Sequence, residues 1–78
     1  MEIEVSSIED AETAAEMGAD IIMADNMKPA DVKKLRSAVR KKNPGALVEA
    51  SGNITLSNVA KYAGCADMVS MGSLTHSS

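Results

Sequence analysis

Short apolar runs alternate along the chain with longer segments whose apolar residues recur at helical spacing. Four such runs lie at residues 3–5, 21–24, 46–50 and 68–71. Each run is short enough for a strand, and the three intervening segments place apolar residues three and four positions apart, as an amphipathic helix does. The pattern therefore predicts the element order βαβαβαβ.

The first predicted helix follows the sequence SSIE at residues 6–9. Ser6 and Glu9 have the spacing of a capping box, in which each side chain accepts a hydrogen bond from the other residue's backbone N–H group. Gly18 is expected to end this helix. Its apolar stripe is predicted to consist of Ile8, Ala11, Ala15 and Met17.

Pro29 suits the first turn of the second predicted helix, which is expected to end at the Asn-Pro-Gly sequence of residues 43–45. Thr55 is expected to cap the third and shortest helix, and Gly64 to end it. The inward-facing residues predicted for these two helices are Val32, Leu35 and Val39 in the second, and Leu56, Val59, Ala60 and Ala63 in the third.

Strands that alternate with helices indicate an α/β fold with a parallel sheet and right-handed crossovers. A complete eight-stranded barrel needs about 250 residues, so this chain of 78 residues would form at most half of one. We therefore predict that residues 1–78 form a single partial α/β barrel of the TIM type. A small open doubly wound sheet remains the alternative, and in either case unpaired sheet edges favour self-association into a homo-oligomer.

Charge and composition exclude several classes of function. The net charge of −3 argues against a general nucleic-acid binder, and the basic run at residues 33–42 is expected to be the solvated face of a helix. The single cysteine, Cys65, cannot form an internal disulfide and is expected to be a small buried residue in a cytoplasmic protein. No stretch has the length and hydrophobicity of a membrane span or the pattern of an export signal.

The first two predicted strands each carry an acidic residue at or near their C-terminal end. Glu4 alternates with apolar neighbours and so points to the face that becomes the lumen in a barrel, and Asp25 ends the second strand. Carboxylates on neighbouring strands can bind Mg²⁺ or accept hydrogen bonds from sugar hydroxyls. The alternative is that Asp25 serves a turn and Glu4 is simply solvated.

Small polar residues and glycines follow the third and fourth predicted strands. Ser51, Gly52 and Asn53 precede the third helix, and Ser70 and Gly72 follow the last strand. Loops of this composition at the start of a helix bind phosphate, and barrels of this type often place a phosphate site after two consecutive strands. A single such loop would more often be an ordinary turn.

The residues needed for the rest of a catalytic site are missing from the pattern. Arg36 and Arg40 lie on the second helix, far from any predicted strand end, and His76 near the C-terminus is expected to be a frayed surface residue. No nucleophile is accompanied by a base, so no residue is assigned a catalytic role.

Four sequences in this order and spacing, EIEV at 2–5, GADIIMADNM at 18–27, EASGNITL at 49–56 and SMGSLTH at 70–76, resemble the quinolinate phosphoribosyltransferases. Members of this family convert quinolinate and phosphoribosyl pyrophosphate to nicotinate mononucleotide, pyrophosphate and CO₂, with Mg²⁺, in NAD biosynthesis. They are cytosolic dimers or larger assemblies. The resemblance implies that Glu4 and Asp25 meet the ribose and metal of the donor, and that Ser51, Gly52 and Gly72 belong to phosphate-binding loops.

The chain departs from the family pattern in two respects. Asn53 stands where the family usually has a second glycine, and Ala24 stands where it usually has leucine. The Arg, Lys and His residues that bind quinolinate in the family precede the matching region, so the chain is expected to be a C-terminal fragment without activity of its own. Two alternatives remain, a self-associating half-barrel module and a segment of another phosphate-binding barrel such as nicotinate phosphoribosyltransferase.

Overall fold

The computed structural model describes residues 1–71. Within this range the elements follow the predicted order βαβαβαβ, and the predicted strand positions are confirmed to within two residues. The elements are β1 (Glu2–Val5), α1 (Ile8–Glu16), β2 (Ile21–Asp25), α2 (Pro29–Lys42), β3 (Leu47–Ser51), α3 (Val59–Ala63) and β4 (Met68–Val69).

The four strands form one parallel sheet whose spatial order is the order of the sequence, β1-β2-β3-β4. Crossovers between parallel strands have one hand, so a sheet that always advances in the same direction carries all its helices on one face. A doubly wound sheet instead reverses direction and places helices on both faces. The sequential order is that of a barrel segment, and the open doubly wound alternative is wrong for the residues described.

The core lies between the sheet and the helices. Because strand residues alternate between faces, the register aligns Val5, Ala24 and Ala50 in one row, and Ile22 beside Val48 in another. All five of these residues are buried. The helices complete the core with Ala11, Ala14 and Ala15 from α1, with Val32, Leu35 and Val39 from α2, and with Tyr62 from α3.

The opposite face of the sheet is not covered by any element of residues 1–71. Glu4, Met23 and Glu49 lie side by side on this face, and Asp25 lies beside Ser51 one step further along the strands. We call this the open face. It corresponds to the lumen in the predicted barrel, and it holds Glu4 where the alternation of β1 predicted.

The first helix departs from its prediction at its N-terminal end. Ser7, rather than Ser6, is the N-cap, and its hydroxyl accepts a hydrogen bond from the backbone N–H of Asp10 at 3.1 Å. The predicted N-cap at Ser6 is therefore wrong by one residue. Gly18, with φ +89°, follows the end of the helix as predicted.

The predicted apolar stripe of α1 is wrong at one position. Met17 is 64% exposed, and Ala14 is buried in its place. Residues 11, 14 and 15 are related by helical spacings of three and four, whereas position 17 lies beyond the last helical residue and points away from the sheet. Small alanines along this face let the helix approach the sheet closely.

The second helix agrees with its prediction, whereas the third differs. α2 begins at Pro29 and buries the three predicted residues. α3 begins only at Val59, and before it residues 55–58 form a turn in which the Asn58 side chain accepts a hydrogen bond from the Thr55 backbone N–H at 2.8 Å. Leu56 is consequently 74% exposed, and Ala60 and Ala63 are also exposed. Tyr62 provides the buried side chain of this helix.

Two arginines of the basic run contact the start of β4 rather than remaining solvated. Arg40 donates a hydrogen bond to the Asp67 carboxylate, Arg36 lies 3.9 Å from the same carboxylate, and Arg36 also donates to the Gly64 carbonyl at 3.0 Å. Asp67 and Val48 are joined twice, since Asp67 N–H donates to the Val48 carbonyl and the Asp67 side chain accepts from Val48 N–H, each at 2.8 Å. Both arginines therefore lie near the N-terminal ends of the strands and away from the C-terminal ends that carry the predicted site residues.

The Asp67 carboxyl is stabilised in its charged form. Burial acts to raise its pKa, but the hydrogen bonds from Arg40 and Val48 and the charges of Arg40 and Arg36 outweigh that effect and hold the pKa below its ordinary value. The same hydrogen bond raises the pKa of Arg40. This cluster lies at the N-terminal ends of the strands, the end away from the candidate site.

Cys65 is half-buried against the core rather than fully buried, and its thiol donates a hydrogen bond to the Lys61 carbonyl at 3.3 Å. Among residues 1–71, no helix has both the length and the apolar character needed to span a membrane.

Candidate functional site

The C-terminal ends of β2 and β3 meet directly. Asp25 and Ser51, the last residues of the two strands, are paired in the register. The contact continues past the strands, where the Asn26 backbone N–H donates to the Ser51 carbonyl at 2.8 Å. Because strand ends of a parallel sheet meet at one edge, the two loops that carry the predicted site residues lie side by side.

Glu4 and Asp25 share a shallow cleft at this edge. Its volume is about 180 Å³, and its walls also include Val5, Ser6 and Asp10. Asp10 comes from the first turn of α1 and was missed by the sequence reasoning, although an acidic residue in the turn after the first strand is a signal that could have been used. Within residues 1–71, no three acidic, His or Cys side chains are close enough to form a metal site of protein ligands alone.

Gly52 packs closely against the loop that follows β2. Its φ of +82° lies in the region that favours glycine. A Cβ atom at this position would lie 3.0 Å from the Asn26 backbone nitrogen and 3.0 Å from the Asp25 carboxylate. The glycine therefore permits both the turn and the packing of the Ser51–Asn53 loop on Asp25.

Two asparagines join the same loops through their side chains. Asn26 and Asn53 have φ values of 57° and 54°, and both lie in the left-handed region. The Asn53 amide donates to the Asn26 side-chain oxygen at 2.5 Å. The departure from the glycine usual in the family is thus accommodated by the backbone, since asparagine tolerates this conformation better than most residues.

The far side of the Ser51–Asn53 loop is held by residues that sequence reasoning did not identify. The Asn58 side chain donates to the Asn53 carbonyl at 3.0 Å and accepts from Thr55 N–H at 2.8 Å. The Tyr62 hydroxyl donates to the Met27 carbonyl at 2.8 Å, which ties α3 to the β2–α2 loop. Two features of the sequence could have indicated these residues. Asn58 lies three residues after the possible cap Thr55, and Tyr62 is the only aromatic residue of the chain.

The late start of α3 changes how this loop could bind an anion. Val59, the first residue of α3, lies six positions after Asn53, and the helix itself has only five residues. The predicted arrangement, in which the loop leads straight into a helix N-terminus, is therefore wrong. Any phosphate at this position would be bound by the loop itself.

The remaining predicted site residues lie at or beyond the same edge. Ser70 follows β4 and extends the sheet, because its N–H donates to the Ala50 carbonyl at 2.8 Å. Gly72 and His76 lie outside the described residues. Glu49 was not predicted as a site residue, yet its position between the buried Val48 and Ala50 places it on the open face beside Met23.

Comparison with known proteins agrees with this arrangement. The family model described as quinolinate phosphoribosyl transferase, C-terminal domain, matches residues 1–78. The carboxylating nicotinate-nucleotide pyrophosphorylase of Rattus norvegicus is 42% identical over 76 residues, which is 96% of this chain and 25% of the relative. The probable enzyme of the same name from Archaeoglobus fulgidus is 42% identical over 80 residues, 99% of this chain and 31% of the relative.

Solved structures give the same result for the fold. The nicotinate-nucleotide pyrophosphorylase from Francisella tularensis superposes with a TM-score of 0.85 at 30% identity, covering 96% of this chain and 26% of that one. NadC from Streptococcus pyogenes superposes with a TM-score of 0.84 at 40% identity, covering 97% and 26%. The chain thus spans about a quarter to a third of the length of these relatives. It belongs to the quinolinate phosphoribosyl transferase family, as a segment of the C-terminal α/β barrel domain.

Proposed function

We propose that this chain is the donor-binding part of an enzyme that forms nicotinate mononucleotide, CO₂ and pyrophosphate from quinolinate and phosphoribosyl pyrophosphate in NAD biosynthesis. The observation that carries the proposal is the joined pair of loops at the C-terminal edge of the sheet. There the Asp25 carboxylate and the Ser51–Asn53 loop lie in contact, and the absence of a side chain at Gly52 makes this contact possible. A phosphorylated sugar needs both kinds of group at adjacent points.

The Ser51–Asn53 loop has the properties of a phosphate-binding segment. A glycine with positive φ followed by an asparagine with positive φ turns the backbone so that N–H groups can converge on an anion. The Ser51 side chain adds a hydroxyl on the open face. In this proposal the loop binds a phosphate of the donor, together with Ser70 and Gly72 from the next loop.

Glu4 and Asp25 suit the ribose and a magnesium ion. Mg²⁺ is usually bound by one or two carboxylates together with phosphate oxygens of the substrate, and Glu4 and Asp25 can provide two such carboxylates in the cleft. When bound, Mg²⁺ would neutralise charge on the pyrophosphate leaving group. Glu4 and Asp25 would hold the ion and accept hydrogen bonds from ribose hydroxyls, which orients the sugar for attack.

The four strands carry none of the positive charge that would be needed to bind the pyridine dicarboxylate. None of the residues in β1 to β4 is basic, whereas Glu4, Asp25 and Glu49 all lie on or beside the open face. A dianionic substrate requires cations or hydrogen-bond donors in the site. We therefore expect the 78-residue chain to bind the donor without producing nicotinate mononucleotide.

Titration calorimetry with phosphoribosyl pyrophosphate and Mg²⁺ tests the proposal. We expect Asp25→Asn and Ser51→Ala each to weaken binding, while Glu16→Gln, at the opposite end of α1, leaves it unchanged. Equal weakening by all three variants, or no heat at millimolar donor, would contradict donor binding by this chain. Incubation with both substrates and analysis of the products by mass spectrometry is expected to show no nicotinate mononucleotide.

Self-association is a second proposed property, and the sheet edges favour it. Within the described residues, β1 and β4 each pair with a strand on one side only. Unpaired edges and an uncovered face of a sheet promote association with another chain. We expect sedimentation velocity to show a dimer or larger species as concentration rises, and a monomer at the highest soluble concentration would refute the expectation.

A further inference from the structure

Asn26 and Asn53 are the only residues other than glycine with positive φ in residues 1–71. Each follows the C-terminal end of a strand, and the two strands are neighbours in the sheet. A left-handed conformation costs free energy at any residue with a Cβ atom, and asparagine often offsets the cost by bonding its own neighbouring backbone. Here the Asn53 amide instead bonds the Asn26 side chain of the other loop, at 2.5 Å.

The hydrogen bond between the Asn53 and Asn26 side chains, which we call the amide bridge, is one of three hydrogen bonds around Gly52. On one side, Asn26 N–H donates to the Ser51 carbonyl at 2.8 Å. On the other, the Asn53 carbonyl accepts from the Asn58 side chain at 3.0 Å. The Asn53 residue is thus held at its side chain by the β2–α2 loop and at its backbone by the turn before α3. Without the bridge, only the backbone contact and the packing of Gly52 would join the two loops.

We propose that Asn26 and Asn53 are positioning residues, whose amide bridge fixes the backbone of Gly52 and Asn53 relative to the Asp25 carboxylate. The proposal rests on the proposed function, because its consequence is that the phosphate and ribose of one donor meet groups already at the correct separation. Pre-organisation of this kind raises affinity because less freedom is lost on binding. The bridge acts through the loops and need not contact the donor.

A double-mutant cycle of Asn26→Gly and Asn53→Gly tests the bridge. Glycine removes the amide and keeps access to positive φ, so the backbone conformation is not excluded. Each single variant is expected to weaken the affinity for phosphoribosyl pyrophosphate with Mg²⁺ by about two- to tenfold, the range of one hydrogen bond. The double variant is expected to be no weaker than either single variant, because the second substitution removes nothing more.

Backbone amide resonances of the ligand-free chain give a readout that does not depend on donor binding. We expect Asn26→Gly to shift or broaden the resonances of Gly52 and Asn53 in the wild-type background, and to have little effect on residue 52 in the Asn53→Gly background. The urea midpoint of each variant shows whether the chain remains folded. A merely structural bridge would lower that midpoint without changing the affinity of the folded protein.

The outcomes separate the two proposals. Additive losses of affinity, or unchanged Gly52 resonances in Asn26→Gly, would overturn the positioning role whether or not the donor binds. If the wild-type chain binds no donor, the proposed function fails together with the bridge's role in affinity, while the resonances still decide whether the bridge fixes the loop. Coupled losses in both readouts would support both proposals.

Discussion

Replacing Gly52 with alanine is the sharpest test of how the two loops pack. Alanine must either keep a φ of +82°, in the left-handed region, or rearrange the turn. Its Cβ atom would also lie 3.0 Å from the backbone nitrogen of Asn26, which cannot move aside as a flexible side chain could. We expect the free energy of unfolding to fall by about 1–3 kcal/mol, the usual cost of a strained backbone position.

Gly64→Ala is the matched control for this substitution. No atom lies within 4 Å of a Cβ built at Gly64, and its φ is −88°. Alanine at such a position is expected to be neutral or to stabilise by about 0.4–1 kcal/mol, because it restricts the unfolded chain. Both variants add one methyl group to a glycine, so any difference between their free energies of unfolding reflects the surroundings and backbone conformation of the two positions.

Urea unfolding followed by circular dichroism measures both variants. A chain of this size has a slope of about 1 kcal/mol per M urea, so Gly52→Ala should lower the midpoint by at least about 1 M. Gly64→Ala should leave it unchanged or raise it. If both variants unfold within about 0.3 M of each other, the close packing of Gly52 on Asp25 and Asn26 would be refuted.

Three further predictions concern the contacts outside this loop. Asp67→Asn is expected to lose about 1 kcal/mol in urea unfolding, since it removes the ion pair with Arg40 while an amide oxygen can still accept from Val48 N–H. Because the pKa of Asp67 is lowered in the folded state, its contribution to the stability of the fold is complete above about pH 4 and is lost as the pH falls through the folded-state pKa. Melting temperatures below pH 4 should therefore fall more steeply in the wild type than in Asp67→Asn. Tyr62→Phe removes the hydrogen bond to the Met27 carbonyl and should cost about 0.5–1.5 kcal/mol, measured by urea unfolding.

The sheet and the first two helices could be predicted from the sequence because burial there follows a simple period. Apolar residues alternate in β2 and β3, and α2 repeats them at positions 32, 35 and 39, so a periodicity argument finds both the element and its inner face. Right-handed crossovers fix the face on which each helix lies for a given strand order, but they do not fix the order of the strands. The choice of barrel segment over doubly wound sheet did not follow, because both have the same element order.

The third helix shows where the pattern fails. Thr55 and Leu56 look like a cap and a first apolar residue, yet residues 55–58 form a turn and the helix begins only at Val59. A turn held by one local side-chain contact leaves no period in the sequence. The Asn26–Asn53 bridge was hidden for the same reason, since it joins residues 27 positions apart.

The charged groups at the N-terminal ends of the strands stabilise the fold, whereas we expect those at the C-terminal ends to bind ligand. At the N-terminal ends, Asp67 is bonded to Arg40 and to Val48, so its charge is fully matched and little of it remains for a ligand. At the C-terminal ends, Glu4 and Asp25 face a cleft, and the loops are joined by neutral amides and backbone groups. These uncharged hydrogen-bonding groups hold the loops together without forming ion pairs with the carboxylates. A site for Mg²⁺ and a sugar phosphate requires carboxylates that are not already paired with a cation. A lysine in place of Asn26 would lose the hydrogen bond from the Asn53 amide and bring a cation next to Asp25, so we expect Asn26→Lys to weaken binding of Mg²⁺, measured by titration calorimetry.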